Sequence, residues 1–207
     1  MAIRKLFEGL LPAGLFSGFR AITTQGYVEA NVKNGVQFSA STYFTGLTAG
    51  ETIDVIVITG DKPVAIKSQY VASKDAGDII SDWYRGPTYT GGTNISSGIF
   101  NQSDINPQPT TVSLIGVLPT NAAAGDYSPN DATKPTVTNV GTKIQPTLAT
   151  LGVSGQGVSV QSRSTVIGLE HNLAPNTVYL YRRLFIAATS SHFGFSTWYE
   201  GGLDLPL

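Results

Sequence analysis

The sequence predicts an all-β protein, an antiparallel β-sandwich of jelly-roll-like form, led by a short N-terminal helix or arm. Three observations carry this expectation. From Gly26 onward apolar and polar residues alternate with a period of two, the repeat of a strand with one buried face. Turn-forming clusters such as Asn34-Gly35, Gly60-Asp61-Lys62-Pro63 and Leu173-Ala174-Pro175-Asn176 punctuate those runs. No helical repeat alternates with the strands, which argues against a parallel βα-built sheet.

The helical signal is confined to residues 1–24. Ile3, Leu6, Phe7, Leu10 and Leu11 recur at intervals of three and four, and Pro12 and Gly14 should end the helix. Leu15, Phe16, Phe19 and Ile22 extend the apolar stretch. Arg4 and Lys5 before these residues have the order of a signal peptide, but Glu8 and Pro12 interrupt the run. It also falls short of the ~18 apolar residues a membrane span needs, so no membrane partner is expected. Leu6, Phe7, Leu10, Leu11, Leu15, Phe16 and Phe19 are candidate docking residues. They pack either on the chain's own β core or on a neighbouring subunit.

Residues 25–207 are expected to form one sandwich domain. Tyr27 to Lys33 and Val36 to Phe44 alternate on either side of the Asn34-Gly35 hairpin signal. Ile53 to Ile58 is a nearly continuous β-branched run, as in a central strand buried on both sides. Further strands are expected over Val64–Val71, Ile79–Tyr84 and Thr110–Val117. Residues 119–138 carry Ala122-Ala123-Ala124-Gly125 and then Pro129 and Pro135, and read as a long surface loop. Residues 137–162 have weak β character. Arg163–Leu169, Thr177–Ala187 and Phe193–Tyr199 complete the strands. In Thr177–Ala187, Val178, Leu180, Arg182, Leu184 and Ile186 share one face, and Tyr179, Tyr181, Arg183 and Phe185 share the other.

Composition narrows the function. Of 207 residues 41% are hydrophobic, enough for a core, and only 13% are charged, about half the usual share of roughly 25%. Such a surface is built of Ser, Thr, Asn, Gln and Gly, or is partly covered by neighbours in an assembly. With 13 basic and 14 acidic residues the net charge is −1, so the basic footprint of a nucleic-acid binder is missing. The chain has no cysteine, which excludes disulfides and thiolate metal sites.

Catalytic patterns do not assemble, and a non-enzyme with no cofactor or metal is expected. His171 and His192 are far apart with no ligand-spaced neighbours. Gly152-Val153-Ser154-Gly155-Gln156-Gly157 approaches the Gly-x-Ser-x-Gly elbow but has its glycine one position early. Asp54, Asp78, Asp82, Glu170 and Glu200 lie at strand positions or edges, and the sequence pairs no two of them. Trp83, Tyr84 and Tyr89, around Arg85-Gly86-Pro87, are the candidate glycan or interface contact.

Val166-Ile167-Gly168-Leu169, Leu173-Ala174-Pro175-Asn176-Thr177-Val178-Tyr179-Leu180 and Trp198-Tyr199-Glu200 resemble segments of small virion structural proteins of tailed bacteriophages. So does Trp83-Tyr84-Arg85-Gly86-Pro87-Thr88-Tyr89-Thr90-Gly91-Gly92. The resemblance covers about half the chain and consists of packing and turn patterns. It implies a β-rich virion protein made in the host cytoplasm, most of all a capsid decoration or cement protein. Its partners would be the major capsid protein or tail components, and it would form a homo-oligomer. A tail or fibre-associated module touching a host glycan is the alternative.

Overall fold

The alternating runs after Gly35 form strands in the computed structural model, which describes residues 32, 34–73, 79–105, 107–116, 134–145, 148–150, 159–164 and 171–201. These residues belong to the unit Asn31–Leu207. The candidate arm with Leu6 to Phe19, most of the strands predicted over Tyr27–Lys33 and Arg163–Leu169, most of the loop predicted over 119–138 and the serine-bearing stretch around Ser154 lie outside them. Gly35 takes φ +70°, the left-handed conformation that the Asn34-Gly35 signal calls for.

Four long strands come first: β1 (Gln37–Leu47), β2 (Thr52–Ile58), β3 (Val64–Ser73) and β4 (Ile79–Arg85). Short ones follow: β5 (Thr88–Thr90), β6 (Thr93–Asn94), β7 (Ile99–Asn101), β8 (Ser113–Gly116), β9 (Thr136–Asn139), β10 (Thr142–Lys143) and β11 (Leu148–Thr150). The chain then forms β12 (Ser159–Ser164), β13 (His171–Leu173), β14 (Val178–Phe185) and β15 (Thr189–Glu200).

One sheet runs β12-β3-β15-β1-β7, with β13 also on β3. The second runs β10-β4-β14-β2-β8-β6, with β11 also on β4. A small separate ribbon pairs β5 with β9. The long pairings are antiparallel and nested: β1 with β15, β2 with β14, β3 with β12 and β13, β4 with β10 and β11. Successive strands β1 to β4 alternate between the sheets. A long antiparallel hairpin rolled in this way is a jelly roll, as the sequence predicts.

The core lies between the two sheets. Phe38 and Phe44 of β1, Val64 and Ile66 of β3 and Trp198 of β15 meet Ile53, Val55 and Val57 of β2, Trp83 of β4 and Tyr179, Tyr181 and Phe185 of β14. At ~25 cal/mol per Å² of apolar surface this shared interior is the main stabilising term. The β-branched run of β2 is buried on both faces as predicted, since Asp54 and Ile56 on the other side are also enclosed. In β14 it is the aromatic and Arg183 face that turns inward, while Leu180 is buried on the opposite side.

Three boundaries differ from expectation, each for a local reason. The strand predicted over Thr110–Val117 starts at Ser113, because Thr110 and Thr111 turn their hydroxyls to the buried Glu200 carboxylate. Of the loop predicted over 119–138 only residues 134–138 are described, and they enter a strand, because Thr136-Val137-Thr138-Asn139 pairs with Thr88–Thr90. The weak β stretch 137–162 supplies β9 to β12, short edge pieces that take their shape from the strands they lie on.

Candidate functional site between the two sheets

Strand alternation puts residues of two sizes face to face. On the first sheet Ala40 and Thr42 of β1 and Gly194 and Ser196 of β15 face inward, since Phe38, Phe44 and Trp198 of the same strands do. On the second sheet Trp83, Tyr181 and Arg183 face them. Sheets about 10 Å apart are normally filled by side chains from both sides. Here the small set leaves a cavity of about 310 Å³, walled by Val55, Val57, Val64, Ile66, Val112 and Leu114 and by the aromatic rings of Trp83, Tyr181 and Trp198.

The cavity reaches the surface on one side. β7 pairs with β1 at Phe38 to Ala40 alone, so from Ser41 that edge of β1 has no strand beside it among the described residues. The short 3-10 turn Ser96–Gly98 sits there instead, and the exposed Ser41 and Ser97 both line the cavity. Kept dry, a void of 310 Å³ would cost up to about 7 kcal/mol at ~24 cal/mol per Å³.

Arg183 forms the polar end. It is 2% exposed, and its guanidinium crosses to the first sheet, where Nη1 and Nη2 each donate to Thr42 Oγ1 at 3.2 Å. Nη1 lies 2.6 Å from His192 Nε2. A guanidinium can only donate, so Nε2 accepts and the His192 ring carries its proton on Nδ1. Arg183 Cζ also stands 5.4 Å from the centre of the Tyr181 ring, which in turn stacks on Trp83 at 4.9 Å. Gly194 makes this route possible: a Cβ there would fall on Arg183 Nη1 and within 2.9 Å of Thr42 Oγ1.

A second polar cluster lies on the opposite face of the second sheet. Arg182 stands between Asp54 of β2 and Asp82 of β4 in the strand register. It clasps Asp54, Nε to Oδ1 and Nη2 to Oδ2, both at 2.7 Å. Lys143 pairs with Asp82 at 2.8 Å, and the Tyr84 hydroxyl donates to Asp82 Oδ2 at 3.2 Å. Its hydrogen bond to Asp54 holds the Arg182 guanidinium above its ordinary pKa. Burial, then the Asp82 charge and hydrogen bond, push the Tyr84 phenol upward. Two of the carboxylates that the sequence leaves unpaired thus each find a partner of their own: Asp54 is engaged by Arg182, and Asp82 by Lys143 and Tyr84.

The aromatic candidates do not form one surface. Trp83 is 3% exposed and belongs to the inter-sheet core; Nε1 points to Gln69 Oε1 at 3.4 Å. Tyr84, the next residue of β4, faces the other side, and Tyr89 lies in the small β5-β9 ribbon. Strand alternation sets Trp83 and Tyr84, consecutive residues of β4, on opposite faces. His192 is packed against Phe185 edge-on at 5.0 Å, and His171 sits 5.8 Å from the Trp83 ring. Among the described residues no three His, Cys, Asp or Glu side chains are grouped to hold a metal, and no helix is long and apolar enough to cross a membrane.

The outer face of the first sheet carries exposed aromatics. Phe100 is 63% and Phe193 38% exposed. Phe100 pairs with Ser39 and Phe193 with Tyr43, both outward positions of β1. Sequence reasoning passed over these residues, and also the cavity, because a lone Phe or Gly in an alternating run signals nothing about its cross-strand neighbours.

No protein-family model matches the chain, and no curated protein does. Among solved structures, the VP2 subviral particle of infectious bursal disease virus is 12% identical at a TM-score of 0.19, covering 80% of this chain and 41% of that one. The T13 IBDV viral particle is 14% identical at a TM-score of 0.20, covering 83% of this chain. The chain spans 41% of the length of either.

Proposed function

We propose that this chain is a non-enzymatic structural protein of a virion, of the capsid decoration or cement kind, and that it binds the head shell through the outer face of its first sheet. The observation that carries the reading is that Phe100 and Phe193, 63% and 38% exposed, both face outward from the first sheet, on either side of β1. Exposed aromatics on a sparsely charged surface mark a face that gains from being covered. Jelly rolls serve as capsid domains as well as lectins and cupins, so the fold fits this role without choosing it. The resemblance of the Trp83–Gly92 and C-terminal segments to tailed-phage virion proteins supplies the choice. In a symmetric shell, many copies each making a weak contact hold together strongly, and a homo-oligomer adds to this. The glycan-binding alternative loses its main contact with Trp83 inside the sandwich.

The test is co-sedimentation of the purified full chain with particles of its source, beside a Phe100→Ser/Phe193→Ser variant. Wild type should travel with the particles. The variant should bind at least about tenfold more weakly while melting at the same temperature. A chain that is made during infection yet absent from purified particles would sink the proposal.

A further inference from the structure

The inter-sheet cavity is open, apolar and equipped with one cationic end, which is the make-up of a ligand site and not of a packing fault. A void left by imperfect packing is dry, closed and lined by apolar groups alone. This one has a mouth at Ser41 and Ser97 and, in its wall, a fully buried guanidinium on the path through Gly194. Two inward residues of the first sheet that line it, Ala40 and Ser196, are small, so that larger side chains there could have filled the space.

We propose that this cavity binds a medium-chain aliphatic monocarboxylate. Its hydrocarbon chain lies in the slot between Val55, Val57, Val64, Ile66, Val112 and Leu114, and its carboxylate accepts hydrogen bonds from the Arg183 guanidinium and the Thr42 hydroxyl. A hydrocarbon chain suits the branched aliphatic side chains that both sheets contribute to the wall. An acid is favoured over an alcohol or alkane, since a guanidinium presents parallel N–H donors that match two carboxylate oxygens. The site does not depend on the assembly reading. A bound acid would stabilise the sandwich whether or not the sandwich belongs to a particle.

The chain's two tryptophans, Trp83 and Trp198, both line this cavity, so tryptophan emission reports its occupancy directly. Full-length protein, first delipidated by gentle solvent exchange, is titrated with decanoate below its micelle concentration and in parallel with decanol. Decanoate should change the emission saturably and raise the melting temperature. Decanol should bind at least about tenfold more weakly, the worth of a charge-assisted contact. Ala40→Leu adds apolar bulk to the cavity and leaves Arg183 itself in place; it should abolish the response while keeping the melting temperature of the free protein or raising it. Equal binding of decanol would overturn the assignment of an acid. An undiminished response in a folded Ala40→Leu would overturn the location, and no saturable response to either probe would overturn the site. Failure of particle binding in the co-sedimentation experiment would leave each of these outcomes readable, because they are measured on the isolated chain.

Discussion

Arg182 holds Asp54 by two parallel hydrogen bonds of 2.7 Å across the β2-β14 boundary, and Asp54 is 3% exposed. The pair shows how this protein places charge on a sheet: the register sets the partners opposite each other, and the two planar groups match. Removing one partner leaves the other enclosed. Arg182→Met should cost about 3 kcal/mol in urea unfolding at neutral pH. Asp54→Leu combined with Arg182→Met should recover most of that loss, because an apolar pair carries no desolvation penalty. Strictly additive single-site effects would refute the coupling.

Tyr84 links the same cluster to pH. Its folded pKa lies above the ordinary phenol value because of burial and the neighbouring Asp82. A group whose pKa is raised on folding stabilises the fold below its unfolded pKa, about 10 for a tyrosine, and the contribution is lost as pH rises through the folded value. Wild type should therefore lose stability more steeply above about pH 10 than Tyr84→Phe. Unfolding curves of both proteins between neutral and strongly alkaline pH would reveal the difference. Parallel curves would show that neither burial nor Asp82 raises the phenol on folding.

Trp83 and Tyr89 should separate cleanly. Trp83→Ala empties part of the core between Tyr181 and His171 and should cost about 3 kcal/mol or more. Tyr89→Ser in the outer ribbon should cost about 1 kcal/mol or less. If Trp83→Ala leaves the melting temperature unchanged, the indole is not where the structure puts it.

Gly194 is required for a different reason from the turn glycines: it leaves room for a guanidinium. Gly194→Ala should lose about 2 kcal/mol by overpacking, with the His192 ring resonances displaced. Gly98, beside which an added Cβ meets nothing within 4 Å, should accept alanine within about 0.5 kcal/mol. Equal tolerance at both positions would contradict the path drawn for Arg183.

Glu200 gathers the Thr110 hydroxyl, the Thr111 backbone N–H at 2.7 Å, the Thr111 hydroxyl at 2.8 Å and Trp198 Nε1 at 3.2 Å. All four are donors. Glu200→Gln turns one acceptor into a donor facing donors and should cost about 2 kcal/mol. Amide exchange at Thr111 should speed up correspondingly. Unchanged exchange there would show that the carboxylate does not anchor the approach to β8.

What could be read from the sequence was whatever depends on neighbours along the chain. The period of two marks β1 and β14, and the near-continuous β-branched run marks β2, because side-chain direction in a strand follows from the residue number. The turns at Asn34-Gly35 and around Asn176, with φ +48°, follow from local backbone preference. The jelly roll was expected as a class. The tertiary structure decided which strands nest, and with them every feature that depends on a cross-strand partner. Asp54 meets Arg182 and Glu200 meets Thr110 across long stretches of sequence, Gly194 meets Arg183 from the facing sheet, and no local pattern encodes such meetings. The same holds for the inner face of β14: two faces could be told apart by alternation, but the inward one was fixed by the small residues waiting on β1 and β15. The cavity exists for that reason, and Trp83 is core for the same one.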